Sequence, residues 1–335
     1  MTEPNRRLVL AQRPTGPVDD SHVRLEEAPV PAPGPGQAVV RVSHISIDPT
    51  IRTWMDDAPG YLPPIEIDAV IRAGGLGTVV ATESDDYPMG ATVFGMLGWQ
   101  DHALVGDGAE TAQVVPDGMD PTAVLSVFGV TGMTAYFGLL DIGKPAEGDT
   151  VVVSGAAGAT GSVVGQIAKI KGAGNVVGLA GTDEKCTWLV DELGFDAAIN
   201  YKTTDVAERL RELCPDGIDV YFDNVGGEIL DTCLAQLSIG ARVVLCGAIS
   251  AYNDRREAPG LKNAFMLIMR RARMEGFLVL DYLDRFDEGQ ADMFGWVLEG
   301  KVTHAVHVVE GLENSVDALN LLFTGGNTGK VIVQL

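Results

Sequence analysis

The chain has 335 residues, 46% of them apolar, which is enough for two domains of roughly 150 residues, each with its own core. A formal net charge of −22 with no basic stripe excludes a protein that tracks nucleic-acid phosphates. No run of ~18 apolar residues offers a membrane span, and the opening MTEPNRRLVL has no apolar leader core, so the expectation is a cytoplasmic protein that binds neither nucleic acid nor membrane.

Residues 1–127 read as β-rich and irregular, with short β runs at 38–47 and 77–82 between Pro/Gly clusters. PVPAPGPGQ (29–37) is too rich in proline for a helix or a central strand. From about residue 128 the texture changes. Residues 134–143 have helical spacing, and DTVVVSG (149–155) suits a buried parallel strand. A helix from Gly161, a strand at 175–181, a helix at 183–194, a strand at 197–201 and a polar helix follow. Residues 219–224, 227–238 and 241–247 read as strand, helix and strand, and 275–280 as a sixth strand before a helix through 294–300. Such alternation predicts an α/β fold, a doubly wound parallel sheet beside a β-rich domain. The last 30 or so residues read as strand, helix, strand, and periodicity leaves open whether they extend that sheet or return to the first domain.

The sharpest local signal is Gly158-Ala159-Thr160-Gly161, directly after a strand and opening a helix. This is the position of the dinucleotide fingerprint G-x-G-x-x-G, with Ala156 in place of the first glycine. Gly158 would let the backbone approach a pyrophosphate, Gly161 would let the helix pack on the strand, and the helix N-terminus offers free N–H groups to an anion. An NAD site carries a carboxylate at the tip of the second strand, for the ribose 2′-OH. Here the tip reads Leu179-Ala180-Gly181-Thr182, with Lys185 three residues on. A 2′-phosphate would accept that lysine as a point charge, so NADP is expected, provided the neighbouring Asp183 and Glu184 point elsewhere.

Seven blocks in order then make the chain resemble the medium-chain dehydrogenase/reductases: GVTGMTAYFGLLDIG (129–143), GAAGATGSVVGQIAK (155–169), GTDEK (181–185), INYK (199–202), YFDNVGGE (221–228), CGAISAYN (246–253) and GGNTGK (325–330). Within that superfamily it is similar to the zinc-independent NADPH-dependent double-bond reductases, the prostaglandin, alkenal and curcumin reductase type. The resemblance implies a GroES-like catalytic domain of residues 1–127 plus 301–335 and a Rossmann NADP-binding domain of residues 128–300. It also implies a homodimer and a small enone or enal substrate. By the same resemblance NADP(H) would be held by Gly158 to Gly161, Gly181, Lys185, Tyr201 and Asn224. Cys246, Gly247, Ala248, Ile249, Ser250 and Tyr252 would line the nicotinamide ribose, Phe277, Leu278 and Val279 would back the ring, and Asn327 would reach the cofactor from the tail.

No metal is expected. Residues 1–127 contain no cysteine, their histidines are His22, His44 and His102, and the block where related zinc enzymes place a cysteine reads Ser46-Ile47-Asp48-Pro49. A zinc site needs three or four nitrogen or sulfur ligands. His304 and His307 read as strand-surface residues, and Cys186, Cys214, Cys233 and Cys246 as reduced thiols. Without a Lewis acid, a developing enolate needs a hydrogen-bond donor, and a tyrosine phenol, protonated at neutral pH, suits the role. Tyr252 and Tyr61 are the candidates. The mammalian relatives carry a further tyrosine where this chain has Met269. Asp48, Arg52 and Trp54 are candidates for the substrate mouth, with Trp99 as an apolar wall. Two rival readings keep the cofactor: a quinone oxidoreductase of the same superfamily, and a catalytically silent NADPH-binding sensor or structural protein.

Overall fold

In the computed structural model, which describes residues 4–254 and 260–335, the chain falls into two units. One comprises Met1–Leu125, Val306–Asn327 and Val331–Leu335, the other Ser126–Ala305 and Thr328–Lys330.

The first unit opens with β1 (Asn5–Leu10) and β2 (Val23–Ala28), an antiparallel pair. The proline-rich stretch after them stays irregular up to β3 (Gln37–Ile47), as ring-locked φ and missing N–H donors require. Then come α1 (Thr50–Trp54), β4 (Gly75–Thr82), β5 (Thr92–Gly95), β6 (His102–Gly106), β7 (Ala112–Val114) and α2 (Pro121–Leu125). The core beneath this sheet is built from Val40, Ile45, Ile47, Ile51, Met55, Ile71 and Trp99 among others.

The second unit starts with α3 (Val130–Phe137), which runs on into a π-helical stretch over Gly138–Gly143. It continues with β8 (Thr150–Val153), α4 (Ala159–Ile170), β9 (Asn175–Ala180), α5 (Asp183–Asp191), β10 (Ala197–Asn200) and α6 (Val206–Leu213). After these come β11 (Ile218–Asp223), α7 (Gly227–Leu234), β12 (Leu237–Leu245), α8 (Met266–Arg270), β13 (Arg273–Gly276) and α9 (Phe286–Leu298). The strands form one six-stranded sheet in the order β10-β9-β8-β11-β12-β13, parallel at every pair. That order is the doubly wound one, and its switch point lies between β8 and β11, where such sheets bind ligands at the carboxyl ends of the strands. Val151, Val152 and Val153 are fully buried, as a central parallel strand covered on both faces demands.

Several element boundaries differ from expectation. The helix expected over 227–238 ends at Leu234, and the strand expected from 241 already starts at Leu237, where it pairs with Ile218. The sixth strand lies at 273–276 rather than 275–280, and Val279–Arg285 is 3₁₀-helical.

The chain ends with β14 (Val306–Glu310), α10 (Ser315–Thr324) and β15 (Lys330–Gln334). These return to the first unit: β15 pairs antiparallel with β3, giving a seven-stranded sheet in the order β14-β15-β3-β4-β5-β7, with β6 also on β3. Among the described residues, no helix is long and apolar enough to cross a membrane.

Candidate dinucleotide site

The loop after β8 is shaped for close backbone approach. Gly155 has φ +57, and a Cβ on Gly161 would lie 2.4 Å from the Gly155 carbonyl oxygen and 2.8 Å from Ala156 Cα. Only glycine lets α4 start that close to the strand. Ala156 N–H donates to Leu179 at 3.0 Å and Gly158 N–H to Gly155 at 3.0 Å, which fixes the loop against β9. Gly158 is the extended N-cap residue of α4 and its side chain offers no cap. The first-turn N–H groups of Ala159, Thr160 and Gly161 therefore have no acceptor within the helix, and the helix dipole favours an anion at this end.

A cationic corner stands at the end of β9. Thr182 caps α5 by accepting the Lys185 N–H at 3.3 Å. A Cβ on Gly181 would sit 2.9 Å from the Tyr201 hydroxyl and 3.4 Å from Lys202 Cε, so both side chains close over this glycine. Lys185 is held below the usual lysine range, first by loss of solvation and then by the Lys202 charge. The Tyr201 phenol is pushed up by loss of solvation. Two lysines close enough for the charge of Lys202 to act on Lys185, beside a phenol that stays protonated, would make a seat for a multiply charged anion. Asp183 is turned to Asn200, which donates to it at 2.7 Å and accepts the Lys202 N–H at 3.1 Å. Lys202 escaped the sequence reading; its signal was the one cation of INYK, next to a tyrosine at a strand end.

The switch-point edge is organised by a buried carboxylate. Asp223, fully buried at the end of β11, accepts from Ser154 Oγ (2.8 Å), Tyr221 OH (2.7 Å) and the N–H groups of Val225 (3.1 Å) and Gly226 (3.0 Å). Burial raises its pKa and these hydrogen bonds oppose the rise. Asn224 follows: its N–H donates to Ser154 Oγ at 2.9 Å and its side-chain amide to the Ser154 carbonyl at 2.7 Å. That geometry commits one amide N–H to the protein. Ser154 and Asp223 escaped the sequence reading. Their signal was a polar residue closing each of two apolar strand runs, VVVS and VYFD.

From β12 the N–H groups of Cys246 and Gly247 return to the Asp223 carbonyl at 2.9 and 3.1 Å. Loss of solvation and the nearby Asp223 push the Cys246 thiol up to about 12, so it stays protonated. The Ser250 hydroxyl donates to Val225 at 2.7 Å. Tyr252 folds back over this turn, its phenol oxygen accepting the Ala248 N–H at 3.1 Å and lying 3.3 Å from where a Cβ on Gly247 would be. Ile249 opens the short 3₁₀ turn between them. Phe277 stacks edge-on against Tyr282 at 6.4 Å and packs on Gly138, where a Cβ would meet its ring at 2.4 Å. Leu278 is partly exposed beside it, and Val279 begins the 3₁₀ segment. One unit thus brings together the expected residues 158–161, 181, 185, 201, 224 and 246–252 along the carboxyl edge of its sheet.

Asn327, Tyr61 and the mouth candidates belong to the other unit. Asn327 is buried at 7% exposure, while Tyr61 is 43% exposed and edge-on to Trp54 at 6.2 Å. The Arg72 guanidinium lies over Trp54 at 5.7 Å. Arg52 is buried at 2% exposure and bonds the carbonyls of Gly16 and Pro14 and the carboxylate of Asp56. Asp48 accepts from Ser46 Oγ. The expectation of Trp99 as a pocket wall fails, because that ring is wholly buried in the core. Met269 is exposed on α8. Cys214 and Cys233 are buried, while Cys186 and Cys246 are half-buried.

A doubly wound sheet with a glycine turn and a cationic strand tip defines a dinucleotide-binding oxidoreductase. Two family descriptions match in order, "N-terminal domain of oxidoreductase" over residues 6–114 and "Zinc-binding dehydrogenase" over residues 159–294. The NADPH-dependent curcumin reductase of Escherichia coli is 41% identical, covering 99% of this chain and 97% of the relative. The NADP(+)-dependent 2-alkenal reductase of Nicotiana tabacum is 34% identical, over 99% of this chain and 97% of its own. The structure of CurA from Vibrio vulnificus in complex with NADPH superposes with a TM-score of 0.93 at 42% identity, covering 98% of both chains. The chain belongs to the medium-chain dehydrogenase/reductase family, in the branch of these curcumin and alkenal reductases. The zinc in the second family description has no ligand set here: among the described residues no group of three His, Cys, Asp or Glu side chains could hold a metal ion.

Proposed function

We propose that the chain is an NADPH-dependent reductase of the carbon–carbon double bond of α,β-unsaturated ketones and aldehydes, working without a metal. The observation that carries the reading is the shared sheet edge: the Lys185–Lys202–Tyr201 corner and the Tyr252 phenol lie on one unit. The names of the curcumin and 2-alkenal reductases support the reaction class. The corner would take the 2′-phosphate, the first turn of α4 the pyrophosphate, and Asn224 the nicotinamide half. A bound NADPH supplies hydride to the β-carbon. Tyr252, whose oxygen accepts the Ala248 N–H, would be the donor to the developing enolate oxygen, the oxyanion-stabilising role that a Lewis acid would otherwise fill, and a proton from solvent would then complete the α-carbon.

The test follows NADPH oxidation with 2-nonenal-type enals, benzalacetone-type enones and quinones. Loss of NADPH absorbance with the saturated carbonyl as product is expected. Turnover of quinones alone would move the chain to the quinone oxidoreductases, and cofactor binding without turnover would make it a silent binder. Tyr252→Phe should lower kcat more than about tenfold; an unchanged kcat would pass the donor role to Tyr61 or to another group. A second copy of the chain is part of the proposal. The edge strand β13 and the exposed Ile268 and Leu283 offer a pairing surface, and a monomer mass by light scattering would remove it.

A further inference from the structure

The phosphate loop is braced by the segment on which the chain re-enters the Rossmann unit. Thr328–Lys330 belongs to that unit, although the residues on both sides of it belong to the other. Gly329 N–H donates to the Ala157 carbonyl at 2.8 Å, and Gly158 and Gly329 pair as a single parallel bridge. One residue on, Lys330 N–H donates to the Ala305 carbonyl at 2.9 Å. Gly329 has φ +69, and a Cβ there would lie 2.0 Å from the Ala305 oxygen and 2.5 Å from its carbon. Only glycine fits, by conformation and by space. The strand of chain around Ala305 is tied in turn to α4. Thr303 N–H donates to Gln166 Oε1 at 2.8 Å, and Gln166 Nε2 donates back to the Thr303 carbonyl at 2.9 Å and to Ser162 at 3.0 Å. Gln166 is buried at 4% exposure. A closed circuit results: loop 157–158, helix α4, Gln166, Thr303, Ala305, Gly329, and back to the loop.

We infer that Gly329 is a positioning residue for the cofactor pyrophosphate, acting through Ala157 with Gln166 as the second tie. A loop that binds an anion by backbone N–H groups gains affinity when those groups are fixed before the ligand arrives. Gly329 holds the Ala157 carbonyl in a hydrogen bond, so that this acceptor does not swing onto an incoming phosphate. The inference rests on the NADPH reading above.

The test measures equilibrium binding of NADPH and of 2′-AMP to the full chain, wild type, Gly329→Ala and Gln166→Met, each checked for folding by circular dichroism. 2′-AMP carries the 2′-phosphate and no pyrophosphate. For Gly329→Ala, Kd for NADPH should rise about tenfold or more while Kd for 2′-AMP stays within about twofold. Gln166→Met should show the same selectivity with a smaller loss, about threefold. NADPH affinity unchanged in Gly329→Ala overturns the inference, and so does an equal loss of both ligands, which marks general disruption. If Gly329→Ala does not fold, Gln166→Met decides alone, by the same criteria. A wild type that fails to bind NADPH sinks the cofactor reading instead.

Discussion

At the scale of single residues, cofactor choice is a matter of charge at one strand tip. A carboxylate there would bond a ribose hydroxyl and repel a phosphate. This chain has Gly181 at the tip and two lysines and a tyrosine around it. Because Lys202 is one of the two causes of the depressed Lys185 pKa, removing it should do two things. Lys202→Ala should raise KM for NADPH about tenfold or more, the worth of one charge-assisted hydrogen bond, and leave KM for NADH within about twofold. It should also let Lys185 hold its proton to higher pH. The alkaline loss of NADPH affinity, which sets in as Lys185 deprotonates below the usual lysine range, should therefore move upward in pH. Steady-state kinetics with both cofactors across pH would check this, and equal effects on NADH and NADPH would remove Lys202 from the phosphate seat.

At the scale of elements, the fit of α4 onto the sheet is set by side-chain volume. A Cβ on Gly165 would lie 1.9 Å from the Phe195 ring, which is itself 2% exposed and cannot yield into solvent. Gly165→Ala should cost about 1–3 kcal/mol by overpacking, despite alanine's better helix propensity. A Phe195→Leu background should recover much of that loss, a coupling that urea denaturation of the double-mutant cycle measures; additive losses would mean the two residues do not share the space. The same elements show what a sequence makes legible. β8, β9 and β11 were readable because buried parallel strands must be apolar runs. β13 was misplaced because an edge strand has no such duty: RMEG is polar, while the more apolar FLVL beside it turns into a 3₁₀ segment. The glycine turn and Lys185 were visible as local chemistry. Lys202, Ser154 and Asp223 were not, since their roles depend on neighbours about 20 to 70 residues away that only the sheet order brings together. Trp99 misled for the converse reason: a large aromatic in a glycine-rich loop looks like a pocket wall until the core is seen to need it.

At the scale of the whole molecule, acid should act on stability through two opposed effects. The net charge of −22 repels itself at neutral pH, so acidification relieves strain, and salt screens this contribution. His44 and His102 work the other way. Burial holds both below the ordinary histidine value of 6.5, against the pull of Asp120 and Glu310 on the first and Asp101 on the second. The His102 Nδ1 is buried with no hydrogen-bond partner among the described residues, so a proton there would go unsatisfied. Since the folded pKa values are depressed, the unfolded chain binds more protons just below 6.5 than the folded one does. Stability is then complete above that pH and is lost as pH falls from it toward the lowered folded values. With salt added to about 0.3 M to suppress the repulsion, Tm should fall between about pH 7 and 5.5, and the fall should be shallower in a His44→Asn/His102→Gln variant. Equal slopes in the two proteins would show that other groups carry the acid sensitivity of this window; the half-buried Glu26 and the exposed Glu288 act below it. Their carboxyls are held below 4.5 by arginine partners, so their contribution disappears only at lower pH.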